Sequence, residues 1–431
     1  GVCSAVILAQ FLKRIGFENF DVFIPNRFKE GYGLNLEKVK LMAEKKVNLV
    51  ITLDCGITDR EEVELAKNLG MEVLVVDHHL PPPKLPETLI IDPHQKEDNY
   101  PFKYLVASAL SYKLVLYLAK ILNFPYQKSL EQRFLDLVAI ATIADVAPLI
   151  EENRVFVKFG LEQLRETQNL GLKKLLELVG LANCSKFTPY HLGFIIAPRL
   201  NAVGRVEHQT PQGLIEQTDY SFVLLMSENE EEAEFFAKRL DELNSERQLQ
   251  IQKIYEEVDD FFKKNKPGKI IFLGKENWSR GVVGIVAGRL RDEWQRPAFV
   301  YSLEEGVGFG SVRSIPQFNL AKFFEKYSNL FIEAGGHSQA GGFRFLKEKE
   351  EEIKAALEKE AEEINIKDLQ PRFEIETILS PEEINEKFME FFHRLEPFGQ
   401  GNPEPIFLMP QVKIYSPRLV GNNSQHLKFT L

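Results

Sequence analysis

Apolar positions early in the chain follow a helical spacing and then switch to short continuous runs. Val2, Ala5, Val6, Leu8, Ala9 and Leu12 recur as one face of an amphipathic helix. A short apolar strand "DVFIP", a polar loop and a helix over 36–45 are expected next. Strand "VNLVITLD", a helix over 60–69 and strand "MEVLVVD" follow. Such β-branched strands alternating with helices predict a doubly wound α/β domain, its parallel sheet covered on both faces. Helical patterns continue over 105–122, 130–143 and on to about 216. From 229 to 264 apolar residues keep helical spacing without a Gly or Pro, longer than the usual globular helix, which predicts a spacer between domains.

A second, smaller α/β unit is expected beyond it. Its parts are strand "KIIFLG", helix "VVGIVAGRLRDEW", strands "PAFVYSL" and "VGFGSVRS", a helix over 320–327 and the glycine-rich "EAGGHSQAGGF". The charged helix over 347–364 would close it with a solvated face. Alternating segments such as "FEIETI" and "QVKIYSPRLV" then predict a small β-domain that stops mid-strand. The expected boundaries are 1–228, 229–265, 266–366 and 367–431.

At 431 residues the chain exceeds one hydrophobic core, consistent with several domains. It has no membrane-length apolar run and no secretory signal, so a cytoplasmic protein is expected, with no membrane partner. Cys3, Cys55 and Cys184 are scattered without CxxC spacing, which argues against a disulfide framework and a structural zinc site. The net charge of -10 works against direct nucleic-acid binding unless bound cations or a basic groove mediate it. Clustered carboxylates that hold metal ions would supply both the acidity and the cations.

In a parallel sheet ligands bind beyond the carboxyl ends of the strands. Asp54 ends one strand and Asp77 the next, with His78 and His79 adjacent. A lone strand-terminal Asp is more often a turn former or a helix cap; four candidate ligands on one rim weaken that alternative. Carboxylates and imidazoles without thiolates suit Mn²⁺ or Mg²⁺, and two such ions would clamp an in-line phosphoryl displacement. Asp145 follows the apolar run "LDLVAIATIA", where a buried charge needs a cation. Asp136, nine residues earlier, falls on about the opposite side of an ideal helix and is expected to be structural.

The stretches "LDCGIT", "VVDHH", "IDPHQ" and "DLVAIATIADVAPL" resemble, in order, the motifs of the DHH phosphoesterase superfamily. "GFIIAPRLNAVGR", "WSRGVVGIVAGRL", "GFGSVRSIPQFNL", "EAGGHSQAGGF" and "EPFGQGNPEPIF" are similar to its RecJ branch, the single-strand-specific 5′ to 3′ exonucleases. The resemblance runs from end to end. It implies that Asp54 is a metal ligand and that Asp77, His78 and Asp145 complete much of a two-metal site. His79 would be a ligand or its close support; contact of His78 or His79 with the scissile phosphate is the alternative. Gly1 matches the last residue of a further Asp-rich family motif, so that motif's carboxylates are expected upstream of this chain.

For phosphate and nucleic acid the resemblance implies Arg27, Arg280, Ser311, Arg313 and Ser314, together with Gly335, Gly336 and His337 in a loop whose backbone N–H groups approach an anion. Arg199, Asn201 and Arg205 would lie beside the catalytic rim, with salt bridges between elements as the alternative for Arg199 and Asn201. Trp278 is either core or a stacking platform. The last domain would be a partial oligonucleotide-binding barrel. In "LVASALSYKL", Ala107, Ser108 and Ala109 depart from a glycine-containing family pattern. The implied activity is a metal-dependent exonuclease releasing mononucleotides from single-stranded DNA, with RNA as a further substrate class, in repair and recombination. A monomer is expected, with repair or replication proteins as partners. The rivals are a DHH phosphodiesterase for oligoribonucleotides or dinucleotides and a non-catalytic strand-binding scaffold.

Overall fold

The computed structural model describes residues 1–25, 30–124, 127–206, 219–421 and 426–430. The first sheet is parallel, ordered β1 (Leu49–Leu53), β2 (Glu72–Val76), β3 (Leu89–Ile91). Alternation along these strands divides their side chains between two layers. Val50, Val73 and Val75 join Val39 and Val63 in one cluster. Ile51, Leu53, Leu74 and Val76 face the main core, where helices Val2–Arg14 and Ala107–Ile121 bury Val6, Ile7, Phe11 and Val115. The expected two-sided cover is therefore present.

Three local expectations differ. "DVFIP" forms no strand, because no described neighbour offers it a ladder. The helix expected over 130–143 is two helices, Gln127–Arg133 and Leu135–Ala144, broken at Phe134, whose ψ of 2° leaves the helical range. The glycine-rich stretch is not a loop but a hairpin of two strands.

That hairpin completes the second sheet, ordered β4 (Ile271–Glu276), β5 (Ala298–Glu304), β6 (Val307–Arg313), β8 (Ala340–Leu346), β7 (Glu333–Gly336). Only β4 and β5 run parallel. One face carries Phe299, Tyr301, Phe343 and Phe345 against helices Leu320–Lys326 and Glu350–Ala361. The other carries Ile271, Ala298 and Val300 against helix Val283–Trp294.

The long helix, Glu230–Lys264, has three glutamates in its first turn and two lysines in its last, both matched to the helix dipole, and Asn229 caps it. It is more than a spacer. Ala233, Phe236, Leu240 and Leu243 are buried in the first core, whereas Ile251, Ile254, Val258 and Phe262 are buried in the second. At roughly 1.5–3 kcal/mol per buried large apolar side chain, each end is anchored to a different domain. The third region holds helix Glu386–Leu395 and two two-stranded pairs, Thr377–Ile378 with Phe407–Leu408 and Tyr415–Val420 with His426–Thr430.

Candidate metal centre and phosphate cleft

The ladder of the first sheet continues one residue past its strands: Asp54 N–H donates to Val76 O at 2.9 Å and Asp77 N–H to Ile91 O at 3.0 Å. Both aspartates are thereby fixed at the carboxyl edge. Asp54 takes φ +69°, the left-handed region, at a cost on the order of 1–3 kcal/mol that its surroundings must offset. Gly56, at φ +108°, lets the chain fold back, since a Cβ there would lie 2.4 Å from Thr52 Oγ1 and 3.2 Å from Val75 Cγ2.

Asp54 Oδ1 lies 3.0 Å from His78 Nε2, and His78 Nδ1 lies 3.9 Å from Asp145 Oδ2. Asp54, His78 and His79 each offer one ligand atom, all within 4.8 Å of one another. Burial alone would raise the Asp54 carboxyl; the Gly1 α-ammonium, 2.5 Å from Oδ2, and His78 outweigh it and hold it well below the usual range. Were Gly1 preceded by another residue, that ammonium would be a peptide N–H and its share of the depression would be lost. Desolvation and the Asp54 charge lift the half-exposed Asp145 carboxyl above its ordinary value, against the two imidazoles.

Asp77 departs from the implied ligand role. Its side chain is 1% exposed, and one oxygen accepts from His78 N–H at 2.8 Å, His79 N–H at 3.3 Å and His79 Nδ1 at 2.7 Å. The other accepts from Ile57 N–H at 3.0 Å. With both oxygens engaged, Asp77 orients His79 as carboxylates orient metal-binding imidazoles. Burial pushes Asp77 up, but His79 and these N–H groups hold it below the usual range; the same hydrogen bond raises His79.

Asp145 caps the C-terminus of helix Leu135–Ala144. Val146 N–H donates to Ile143 O and Ala147 N–H to Thr142 O, both at 3.1 Å, the paired closure that normally places glycine in the left-handed position. Here that residue is Val146, at φ +55°, which costs about 1–2 kcal/mol. Asp136 meets the structural expectation: it is buried, accepts from Thr167 Oγ1 at 2.5 Å and Leu137 N–H at 2.7 Å, and burial pushes its carboxyl up to about 6.

These donors fit Mn²⁺ or Mg²⁺. They are carboxylate oxygens and imidazole nitrogens, and among the described residues Cys55 is not one of the group that could share an ion.

A second cleft, of about 520 Å³, opens between the two α/β domains. Arg205 lines it from the first domain; Arg280, Ser311 and Gly335 line it from the second. Arg313 lies behind this wall, its Nη1 donating to Val312 O at 3.0 Å; burial and Arg291 push its guanidinium down. A Cβ on Gly284 would lie 3.1 Å from Ser311 Oγ and 3.7 Å from Arg313 Nη2. Both side chains thus flank the first turn of helix Val283–Trp294, whose N–H groups favour anions.

Other expected residues are used differently. Ser314 is fully buried and its hydroxyl donates to Phe318 O at 2.7 Å, so it faces the core, not a ligand. Arg199 takes the salt-bridge alternative, with Nε 2.8 Å from Asp241 Oδ1 and Nη1 donating to Ile195 O. Asn201 is exposed at the end of helix Ala197–Leu200. His337 is exposed in the hairpin turn, and its N–H is spent on Ala340 O at 2.8 Å. Gly335 and Gly336 pair with Gly342 and Gly341 on edge strand β7, which leaves alternate backbone groups facing outward. Trp278 is core: it is 8% exposed, and its indole N–H donates to Glu257 at 3.2 Å. Arg27 lies outside the described residues.

Sequence reasoning missed Tyr32, Phe309 and Arg344 in the cleft. The guanidinium carbons of Arg280 and Arg344 lie 5.6 and 5.2 Å from the Phe309 ring centroid. The period-2 rule carried the signal for two of them: with Val312 buried, Phe309 shares the face of Ser311, and Arg344 sits between the inward Phe343 and Phe345.

The DHH family N-terminal domain matches residues 1–142, the DHHA1 domain residues 265–363 and the RecJ OB domain residues 375–431. The single-stranded-DNA-specific exonuclease RecJ of Bacillus subtilis is 36% identical over 436 residues, covering 100% of this chain and 53% of that protein. The protein of the same name from Haemophilus influenzae is 32% identical over 451 residues, covering 100% and 76%. The crystal structure of RecJ from Thermus thermophilus in complex with Mn²⁺ superposes with a TM-score of 0.82 at 28% identity, over 100% of this chain and 60% of that one. The same protein in complex with Mg²⁺ gives 0.75 at 27%, over 100% and 58%. The chain thus spans little more than half the length of the Bacillus and Thermus proteins. Matched along its whole length by such relatives, it belongs to the RecJ family of DHH proteins.

Proposed function

We propose that this chain is the catalytic part of an exonuclease that hydrolyses single-stranded DNA from its 5′ end to mononucleotides with Mn²⁺ or Mg²⁺. The observation that carries this reading is the group Asp54, His78 and His79 at a sheet edge, in a chain that also builds an arginine-lined cleft. Asp54, His78 and Asp145 would hold metal, joined by carboxylates of any preceding segment. When bound, the ions supply Lewis-acid polarisation of the phosphodiester and lower the pKa of water.

The chain's own residues do the rest. Asp77 accepts from His79 Nδ1 and so fixes the tautomer and direction of the ring, leaving Nε2 to meet ligand or phosphate. Protonated His79 would donate a charge-assisted hydrogen bond to a phosphate oxygen. Ser311, Arg313 and the first turn of helix Val283–Trp294 would take the terminal 5′-phosphate, with Arg27 joining them. Arg205, Arg280 and Arg344 would follow the backbone through the cleft. A cleft between two domains tied to one rigid helix favours a single strand over a duplex.

The test is hydrolysis of end-labelled single-stranded DNA, duplex DNA and RNA by the full-length protein, with Mn²⁺ and with EDTA. Mn²⁺-dependent loss of nucleotides from the 5′ end of the single strand is expected. No such loss would refute the function, and normal cleavage by Asp54→Ala would refute the site.

A further inference from the structure

We infer that the hairpin at Gly399–Asn402, in the third domain, is a clamp that positions Asp145; the inference rests on the reading of Asp145 as a metal ligand. Asp145 stands on a turn that two backbone hydrogen bonds close but that is strained at its next residue. Val146, directly after it, occupies a left-handed position without glycine's freedom, and its side chain is 67% exposed, so no packing of its own keeps it there. The turn is held from its far end. On the inner side Asn153, fully buried, donates its amide to Pro148 O at 3.1 Å and Tyr104 O at 2.7 Å. On the outer side the hairpin is the support: Leu149 N–H donates to Gln400 O at 2.6 Å.

The hairpin is shaped to fit this seat. Gly399 and Asn402 close it with reciprocal bonds of 2.9 and 3.1 Å. A Cβ on Gly399 would lie 2.7 Å from Leu149 Cδ1, and one on Gly401, at φ +74°, 3.1 Å from Pro148 Cβ. A larger residue at Gly399 displaces the buried Leu149 side chain, and one at Gly401 presses on Pro148 from a backbone that favours glycine. Two further ties fix the hairpin's base. Asn402 donates its amide to Leu395 O and Pro397 O, both at 2.9 Å. Arg154, in the helix that follows the turn, donates to the carbonyls of Arg394, Leu395 and Glu396 at 2.8–3.1 Å. Glu396 is also 2.6 Å from Lys186. The third domain therefore grips the turn at Leu149 and the helix after it at Arg154, and Gln400 and Gly399 are positioning residues for the ligand four residues before Leu149.

The experiment compares Gly399→Val, Arg154→Gln, Asp145→Ala and the parent in the full-length protein. Mn²⁺ binding is followed by titration calorimetry without DNA, kcat and KM on 5′-labelled single-stranded DNA, and folding by thermal melting. The clamp predicts that Gly399→Val and Arg154→Gln weaken Mn²⁺ binding about tenfold, the usual scale for supports behind a ligand. It also predicts that kcat falls while KM holds. Adding Val146→Gly, which lets the turn stand unaided, restores binding and kcat in both. Wild-type Mn²⁺ affinity and kcat with only a raised KM would mean that the third domain merely holds DNA, and would overturn the clamp. If Gly399→Val does not fold, Arg154→Gln decides by the same criteria. Asp145→Ala separates the two levels: normal metal binding by it removes the ligand reading and the clamp with it, whereas loss by it alone removes only the clamp.

Discussion

Asp136 and Asp145 share one apolar helix end to end, and replacing each by Asn should separate a structural acid from a ligand. Asp136 has an ordinary value of 3.8 and is pushed to about 6 by complete burial. At 1.36 kcal/mol per unit, that difference amounts to about 3 kcal/mol. The native state holds the proton more tightly than the unfolded chain, so stability falls as pH rises through this window: the cost is absent below pH 4 and complete above pH 6. An amide is neutral throughout and can keep both partners, because the Thr167 hydroxyl, 2.5 Å away, accepts as readily as it donates. Asp136→Asn should therefore match the parent at pH 4 and be about 2–3 kcal/mol more stable at pH 7.5, with Mn²⁺ affinity and exonuclease activity unchanged. Urea unfolding at the two pH values, read as the difference between variant and parent, isolates this group from all others. A difference independent of pH would refute the protonated buried acid. Loss of metal binding would show Asp136 to belong to the site. Asp145→Asn should instead lose activity and metal binding, which Asp136→Asn leaves intact.

Asp77→Asn should leave an amide N–H facing a donor, either Ile57 N–H or the His79 set, at about 1–3 kcal/mol. Mn²⁺ affinity should fall about tenfold as His79 loses its orientation; a calorimetric titration with parent affinity would refute the supporting role. Gly56→Ala should lower stability by about 2 kcal/mol or more, since it combines a left-handed φ with a contact to Thr52; an unchanged melting temperature would contradict this. Ser311→Ala should lower the preference for a 5′-phosphate over a 5′-hydroxyl end by about tenfold or more, one hydrogen bond to a charged group being worth about 1.5–3 kcal/mol. Ser314→Ala should instead cost about 1 kcal/mol of stability and leave that preference intact, and competition between the two substrates tells them apart.

The fold was legible where a periodicity ran long enough to dominate. Parallel strands buried on both faces, the 35-residue helix and the strands "PAFVYSL" and "VGFGSVRS" all appear within a residue or two of expectation. What failed was local. Glycines in "EAGGHSQAGG" suggested a loop, yet Gly335–Gly342 and Gly336–Gly341 pair across a hairpin. A Cβ on Gly336 would lie 2.3 Å from Ala340 O, so glycine there permits close strand approach. The reverse holds in β6: a Cβ on Gly308 or Gly310 would lie 2.1 Å from Phe345 or Phe343, so those glycines make room for the aromatic core. One residue type thus answers two demands that sequence alone does not distinguish.

The site shows a similar division. Residue type and strand-end position were enough to bring Asp54, His78 and His79 together, because a parallel sheet delivers successive strand ends to one rim. They could not say which carboxylates remain free. Asp77 and Asp54 occupy equivalent positions on neighbouring strands, yet four donors reach Asp77, and only the fold-back of 56–58 brings Ile57 N–H to it. Nor does a sequence announce backbone strain. Asp54 and Val146 carry left-handed φ values where glycine would be easier, one at a proposed ligand and one beside a proposed ligand. Relieving either would favour folding, and only their neighbours in three dimensions, which a sequence does not list, distinguish them from ordinary turn residues.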